Sequence, residues 1–287
     1  MKPQDLVRTE GYFETGDGRK LFFRSWQPER AERLMVLVHG FGEHSGRYEE
    51  VAMFFAQRGF SVYAHDHMGH GNSPGLRGHI GRFDDFLDDV EEFIAHASEA
   101  DPGLPHVLVG HSMGGLIVAA LACERKVDAD LVVLSGPALS LSPDISRFKL
   151  IFARLLRGLM PRLTMEAGLD VSGISRDPAV VRDYESDPLV HGQITASMGA
   201  GMFEAIERVQ RKANMLSVPA FLMHGESDPI CRVEGSRLFF ASLPQDGPAA
   251  GSELRIYPDL RHEIFNEPER AQVYDDVHDW VLRLGSR

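Results

Sequence analysis

Apolar residues along this chain fall into short continuous runs and longer spaced stripes, and the two patterns alternate over most of its length. Leu34-Met35-Val36-Leu37-Val38 and Phe60-Ser61-Val62-Tyr63-Ala64 are runs of strand length, suited to a parallel sheet buried on both faces. Similar runs predict strands over 106–109, 131–134, 219–223 and 254–257. Between runs the period lengthens. Phe83, Phe86, Leu87, Val90, Phe93, Ile94 and Ala97 recur at i, i+3, i+4 and i+7 with acids opposite, which predicts an amphipathic helix. A shorter helical pattern covers 46–58 and ends at Gly59, and Val273, Val277, Trp280, Val281 and Leu284 mark a final helix. Residues 11–26 read as a hairpin about Gly16-Asp17-Gly18. Strands alternating with helices give an α/β fold class, a mostly parallel central sheet flanked by helices.

The alternation stops between Pro137 and about Arg208, where helical patterns and Pro/Gly breaks replace strand-like runs. This predicts an inserted helical cap over 137–208, with 1–136 and 209–287 forming the core. The first cap helix, 145–160, carries an apolar stripe of Ile145, Phe148, Phe152, Leu155, Leu156 and Leu159. Arg147, Lys149, Arg154, Arg157 and Arg162 add positive charge to it. One reading packs the stripe on the core with the basic face in water. The other is an interfacial helix that touches an anionic membrane surface.

Composition narrows the function classes. The 287 residues, 43% hydrophobic and 25% charged, can bury a large core. A formal net charge of −12 argues against a nucleic-acid partner. Two cysteines far apart, Cys123 and Cys231, suit a reducing compartment. The N-terminus lacks a signal-peptide core, and no apolar run is long enough to span a bilayer. The expectation is a soluble cytoplasmic protein, with peripheral membrane contact under the second reading of the cap helix. Oligomeric state is not legible.

Candidate chemistry centres on Gly110-His111-Ser112-Met113-Gly114, a G-x-S-x-G match between a predicted strand and a predicted helix. The twin match, Gly71-Asn72-Ser73-Pro74-Gly75, lacks that setting. Its Pro74 also has no N–H for an oxyanion. A serine hydroxyl needs a general base and an orienting acid, which in such enzymes follow the serine in the order acid, then histidine. Asp228 and His262, each just past a predicted strand end, fill those places. Glu226 and His224 compete with Asp228 and His262, and His278 lies inside the last predicted helix. Val38-His39-Gly40-Phe41-Gly42 offers the Phe41 N–H as a second oxyanion donor beside that of Met113. His65-Asp66-His67-Met68-Gly69-His70 invites a metal reading, but the aspartate is misplaced for a hydrolytic H-x-H-x-D-H site. Asp66 and His67 are read as tying down loop 65–78, and no metal or organic cofactor is expected.

These segments, with His39 to Tyr48, Asp66 to Ser73 and His262 to Glu267, resemble the monoacylglycerol lipase branch of the α/β-hydrolases, which overlaps with lysophospholipases. The resemblance spans roughly residues 10–285. It implies a serine carboxylester hydrolase acting on monoacylglycerol or a similar single-chain ester. Ser112 would be nucleophile, Asp228 acid and His262 base, with the Phe41 and Met113 amides as oxyanion hole. It also implies that Glu43 and Arg47 support the site near a glycerol head, against the alternative of a structural ion pair. Cys231 falls where some relatives carry a thiol near the pocket, against the reading of a small buried residue. A lysophospholipase, a small-ester esterase and a proline-type aminopeptidase are the enzymatic alternatives. A non-catalytic binding protein of the same fold is the remote one.

Overall fold

A computed structural model of the chain describes residues 6–140 and 156–285. The hairpin pairs β1 (Leu6–Glu14) with β2 (Lys20–Pro28), closed by Thr15 N–H to Arg19 O at 2.8 Å. The apolar runs form β3 (Arg33–Val38), β4 (Phe60–His65), β5 (His106–His111) and β6 (Leu131–Ser135). After a small ribbon of β7 (Thr164–Glu166) and β8 (Gln193–Thr195) come β9 (Ala220–Gly225) and β10 (Glu253–Tyr257). The main sheet runs β1-β2-β4-β3-β5-β6-β9-β10 and is parallel from β4 to β10.

Side-chain alternation explains why the central strands are apolar throughout. In β3, Leu34, Val36 and Val38 enter a core with α2 (Asp84–Ala100) and α3 (Met113–Glu124). Met35 and Leu37 enter the opposite core with α1 (Glu49–Ala56) and helix Arg270–Leu284. Each face of the sheet is therefore covered, and a polar residue on either side would lose its water. Helix α3 is buried from Met113 to Cys123, consistent with its lack of a polar stripe.

The interrupted region contains helices Pro178–Ser186 and Ala196–Arg211. Asp177 caps the first by accepting from Ala179 N–H, with Pro178 at its first turn. The expectation of no strand there is corrected, because β7 and β8 pair antiparallel. Three-residue strands carry too few positions for a period to show. Helix Ala196–Arg211 sends Ala205, Ile206 and Val209 into the core with α3. Its Arg208 meets Asp84 at 2.6 Å and Glu124 at 2.7 Å. The 208/209 boundary thus falls within a helix that packs on the core.

Most of the expected helix 145–160, including Arg147, Lys149 and Arg154, lies outside the described residues. Of its remainder, Leu159 is 80% exposed and Arg157 pairs with Glu204 at 2.7 Å. Among the described residues, no helix is long and apolar enough to cross a membrane.

Candidate active site

Ser112 sits between the end of β5 and the start of α3 with φ 52° and ψ −116°. A non-glycine residue there is strained by about 1–3 kcal/mol, so its surroundings must hold it. Ser112 N–H donates to Ser135 O at 3.0 Å, and its carbonyl accepts from Leu116 N at 3.1 Å and Ala138 N at 2.9 Å. The turn also needs close backbone approach. A Cβ on Gly114 would lie 2.0 Å from Val38 O, so only glycine lets α3 start against the end of β3.

The loop after β3 comes equally near. A Cβ on Gly40 would lie 3.1 Å from Ser112 Cβ and 2.9 Å from Glu43 Oε1. Glu43 Oε1 accepts from Gly40 N–H at 2.7 Å and Tyr48 O–H at 2.8 Å, which fixes the loop carrying Phe41. From the segment before β8, His191 N–H donates to Gly42 O at 2.9 Å. Phe41 and Met113 therefore flank Ser112 from two elements.

Asp228 and His262 meet from the ends of β9 and β10. His262 Nδ1 lies 2.7 Å from Asp228 Oδ2, with both side chains buried. Asp228 Oδ1 accepts from Ile230 N at 2.8 Å and Cys231 N at 2.9 Å. Burial opposes ionisation of Asp228. The facing His262 and hydrogen bonds from His224 and His262 outweigh it and hold the carboxyl below the usual carboxylate range. Burial likewise opposes charging of His262, but Asp228, Glu263 and Glu43 raise its pKa above the ordinary value. The Cys231 thiol is raised by burial, then by Asp228. His111, next to Ser112, packs its ring 4.7 Å from that of His262, which brings the elbow beside the acid and the histidine.

Arg47 ties these parts together. It donates to Glu43 at 2.9 Å and to both Glu263 oxygens at 2.6 and 2.8 Å. Glu263, next to His262, is held at about 2, because Arg47 outweighs the burial that would raise it. A cavity of about 10 Å³ lies among Glu43, Arg47, Tyr48, His111 and Glu263. A wider groove of about 790 Å³, lined by His44, Met53, Phe54, Val180 and Asp187, lies on the far side of Arg47 and touches no residue of the serine–acid–histidine set.

Sequence reasoning missed several neighbours. His111 packs its ring 4.7 Å from that of His262, and burial followed by His262 lowers it to about 4. Glu263 and the buried Glu267 carried no signal beyond their place after the histidine. Glu267 Oε1 accepts from Arg261 N at 2.7 Å, while Oε2 accepts from Arg176 N at 3.1 Å, joining the segment before helix Pro178–Ser186 to the loop that carries His262. His224 makes a hydrogen bond to Ser236, as a strand-tip histidine should, but it also reaches Asp228 at 3.1 Å.

The competitors lie elsewhere. Glu226 is exposed, 3.5 Å from Arg237. His278 packs on Phe54 and Phe60. Ser73 accepts from Phe22 N and donates to Asp66 O, so it belongs to the loop. Asp66 also ties that loop to Ser45 and Asn72. Among the described residues, no group of three or more His, Cys, Asp or Glu is arranged to hold a metal.

Comparison with known proteins gives the family and the fold. Residues 29–269 match the family described as serine aminopeptidase S33. The chain is 36% identical to a monoacylglycerol lipase of Mycolicibacterium smegmatis, over 96% of this chain and 98% of that protein. It is 35% identical to the human monoglyceride lipase, over 92% and 88%. A crystal structure of a soluble variant of the Saccharomyces cerevisiae monoglyceride lipase with a substrate analog superposes with a TM-score of 0.87. That match has 27% identity and covers 99% of this chain and 98% of that one. The chain belongs to the serine aminopeptidase S33 family of α/β-hydrolases and is a serine ester hydrolase.

Proposed function

We propose that this enzyme hydrolyses monoacylglycerols and similar single-chain esters, with Ser112 as nucleophile, His262 as base and Asp228 as acid. The 2.7 Å contact of His262 Nδ1 with Asp228, beside a serine on a strained elbow, carries this reading. Engagement of Nδ1 leaves Nε2 for the serine hydroxyl. His262 takes the Ser112 proton as the oxygen attacks the acyl carbonyl. The Phe41 and Met113 amides stabilise the oxyanion. The proton then goes to the departing alcohol, and water releases the fatty acid from the acyl-enzyme by the same steps. No metal or organic cofactor enters this scheme.

Glu43 and Arg47 act in this scheme on the oxyanion loop, through the Gly40 amide, rather than on the reacting atoms. An aminopeptidase is disfavoured by the same residues. Its substrate ammonium needs a free carboxylate, and Glu43 and Glu263 are both committed to Arg47. The described residues 156–195 serve as part of the cap, and exposed Leu159 and Met160 give them an apolar edge for transient membrane contact. The relatives named above act on monoacylglycerol by name, which supports the glyceride over a phospholipid head. Hydrolysis of 1-monoacylglycerols and lysophosphatidylcholines of matched chain length tests this. Faster turnover of the phospholipids would replace the reading with a lysophospholipase.

A further inference from the structure

Asp228 is held by more than the base. Its Oδ1 is filled by the Ile230 and Cys231 amides, while Oδ2 meets two imidazoles, His262 at 2.7 Å and His224 at 3.1 Å. Three hydrogen bonds hold the carboxylate, and the His224 ring stands beside Oδ2 as a close polar neighbour. The His224 tautomer follows from its neighbours. Its Nε2 lies 2.8 Å from the Cys231 carbonyl and faces the Asp228 carboxylate, both of which only accept. The proton must therefore sit on Nε2. Nδ1, 2.8 Å from Ser236 Oγ, then accepts from that hydroxyl in the neutral ring. His224 and Ser236 are both fully buried, so bulk water does not compete.

We propose that His224 is a positioning residue that shares the Asp228 carboxylate with His262 and so sets how tightly the base is held. The inference rests on the assignment of Asp228 and His262 as acid and base. The His224 N–H, bonded to the Cys231 carbonyl and 3.1 Å from Oδ2, places positive partial charge beside that oxygen, which weakens its hold on His262 Nδ1. The other groups facing His262 are its neighbour Glu263, Glu43 from the oxyanion loop, Arg47 between those two, and the His111 ring. A His224 variant also frees the Cys231 carbonyl, whose residue holds Oδ1 through its amide, so the conservative His224→Gln is the needed control.

The wild-type protein supplies the first readout. Nitrogen-15 spectra of labelled histidine should show His224 protonated on Nε2 at pH 7.5, and an Nδ1–H tautomer would overturn the proposal. His224→Leu should raise the acid limb of the kcat/KM profile on a short chromogenic ester by about half to one unit. It should also move the low-field His262 Nδ1 proton further downfield. His224→Gln, whose amide donates from near the Nε2 position, should restore both toward wild type. An unshifted limb in His224→Leu, or equal shifts in both variants, would show that His224 only packs. If His224→Leu does not fold, the wild-type tautomer and the His224→Gln limb still decide. Loss of turnover in Ser112→Ala tests the triad assignment separately, because retained turnover there refutes that assignment whatever His224 does.

Discussion

Arg47 grips Glu263, the residue directly after the candidate base, through two hydrogen bonds of 2.6 and 2.8 Å while also holding Glu43 at 2.9 Å. One cation thus joins the loop that carries His262 to the loop that carries Phe41, across 216 positions of sequence. Its side chain is only 10% exposed, and both carboxylates are about as buried. Arg47→Met would leave two buried carboxylates facing each other without a cation. Breaking such a pair costs about 3–5 kcal/mol. The expected outcome is a lowered melting temperature together with a large fall in kcat, read by calorimetry and ester hydrolysis. Unchanged kcat in a folded variant would remove Arg47 from the support of the site.

Glu267 makes a second, independent bridge. Its buried carboxylate accepts from Arg261 N, one residue before His262, and from Arg176, just before helix Pro178–Ser186. The Ile174 carbonyl adds to it by accepting from Glu263 N at 2.8 Å. Glu267→Ala should lower kcat more than it raises KM, because it loosens the base loop rather than the substrate contacts. Hydrogen bonds to a charged acceptor are worth about 1.5–3 kcal/mol each, so a tenfold or greater fall is expected. A pure KM effect would mean that the bridge shapes only the cap.

Acid stability follows from a buried histidine cluster. His39, His65, His67 and His70 are at most 1% exposed, and neither ring nitrogen of His65 has a hydrogen-bond partner among the described residues. Burial lowers His65 and His70 to about 3 and pushes His39 and His67 well below their ordinary value. The unfolded chain then binds more protons than the folded one below about pH 6.5. These four groups leave stability intact above that pH and remove it as pH falls toward 3. His262, raised when folded, acts in the opposite direction, with stability present below about pH 6.5 and lost as pH rises through its folded value. His111, lowered to about 4, adds to the four, and Asp89, raised to about 7, joins His262 against them. Five against two, at about 1.4 kcal/mol per group per pH unit, gives a loss of several kcal/mol by pH 5.5. Urea unfolding at pH 7.5 and 5.5 measures it, and equal free energies would contradict the cluster's role.

Both thiols are buried and shifted upward, Cys123 to about 12. Neither should react appreciably with iodoacetamide at pH 7.5 in the folded enzyme, as mass spectrometry would report. Rapid labelling of Cys231 would mean that the packing around this thiol opens in solution.

The central sheet was legible because each buried strand needs apolar residues on both faces, so Leu34–Val38 and Leu131–Leu134 stand out without any partner being known. The elbow at Ser112 and the meeting of Asp228 with His262 were legible because the proposed chemistry demands an order along the chain and a place at strand ends. The supporting shell was not. Arg47 and Glu263 are ordinary charged residues in sequence, and only folding brings them together. His224 is the intermediate case. Its place four residues before Asp228 at a strand tip was visible, but a link to the acid depends on the turn between them. β7 and β8 stayed hidden for want of length.

The assignment of Ser112 as nucleophile is tested most directly by treating wild-type and Ser112→Ala enzyme with a fluorophosphonate, then measuring 1-monoacylglycerol hydrolysis by each. The expected result is a single covalent adduct on Ser112 in the wild type. The folded variant should carry no adduct and lose about 10⁴-fold or more in kcat, as removal of a catalytic serine does elsewhere. An adduct on another residue, or turnover by Ser112→Ala within tenfold of wild type, would contradict the account.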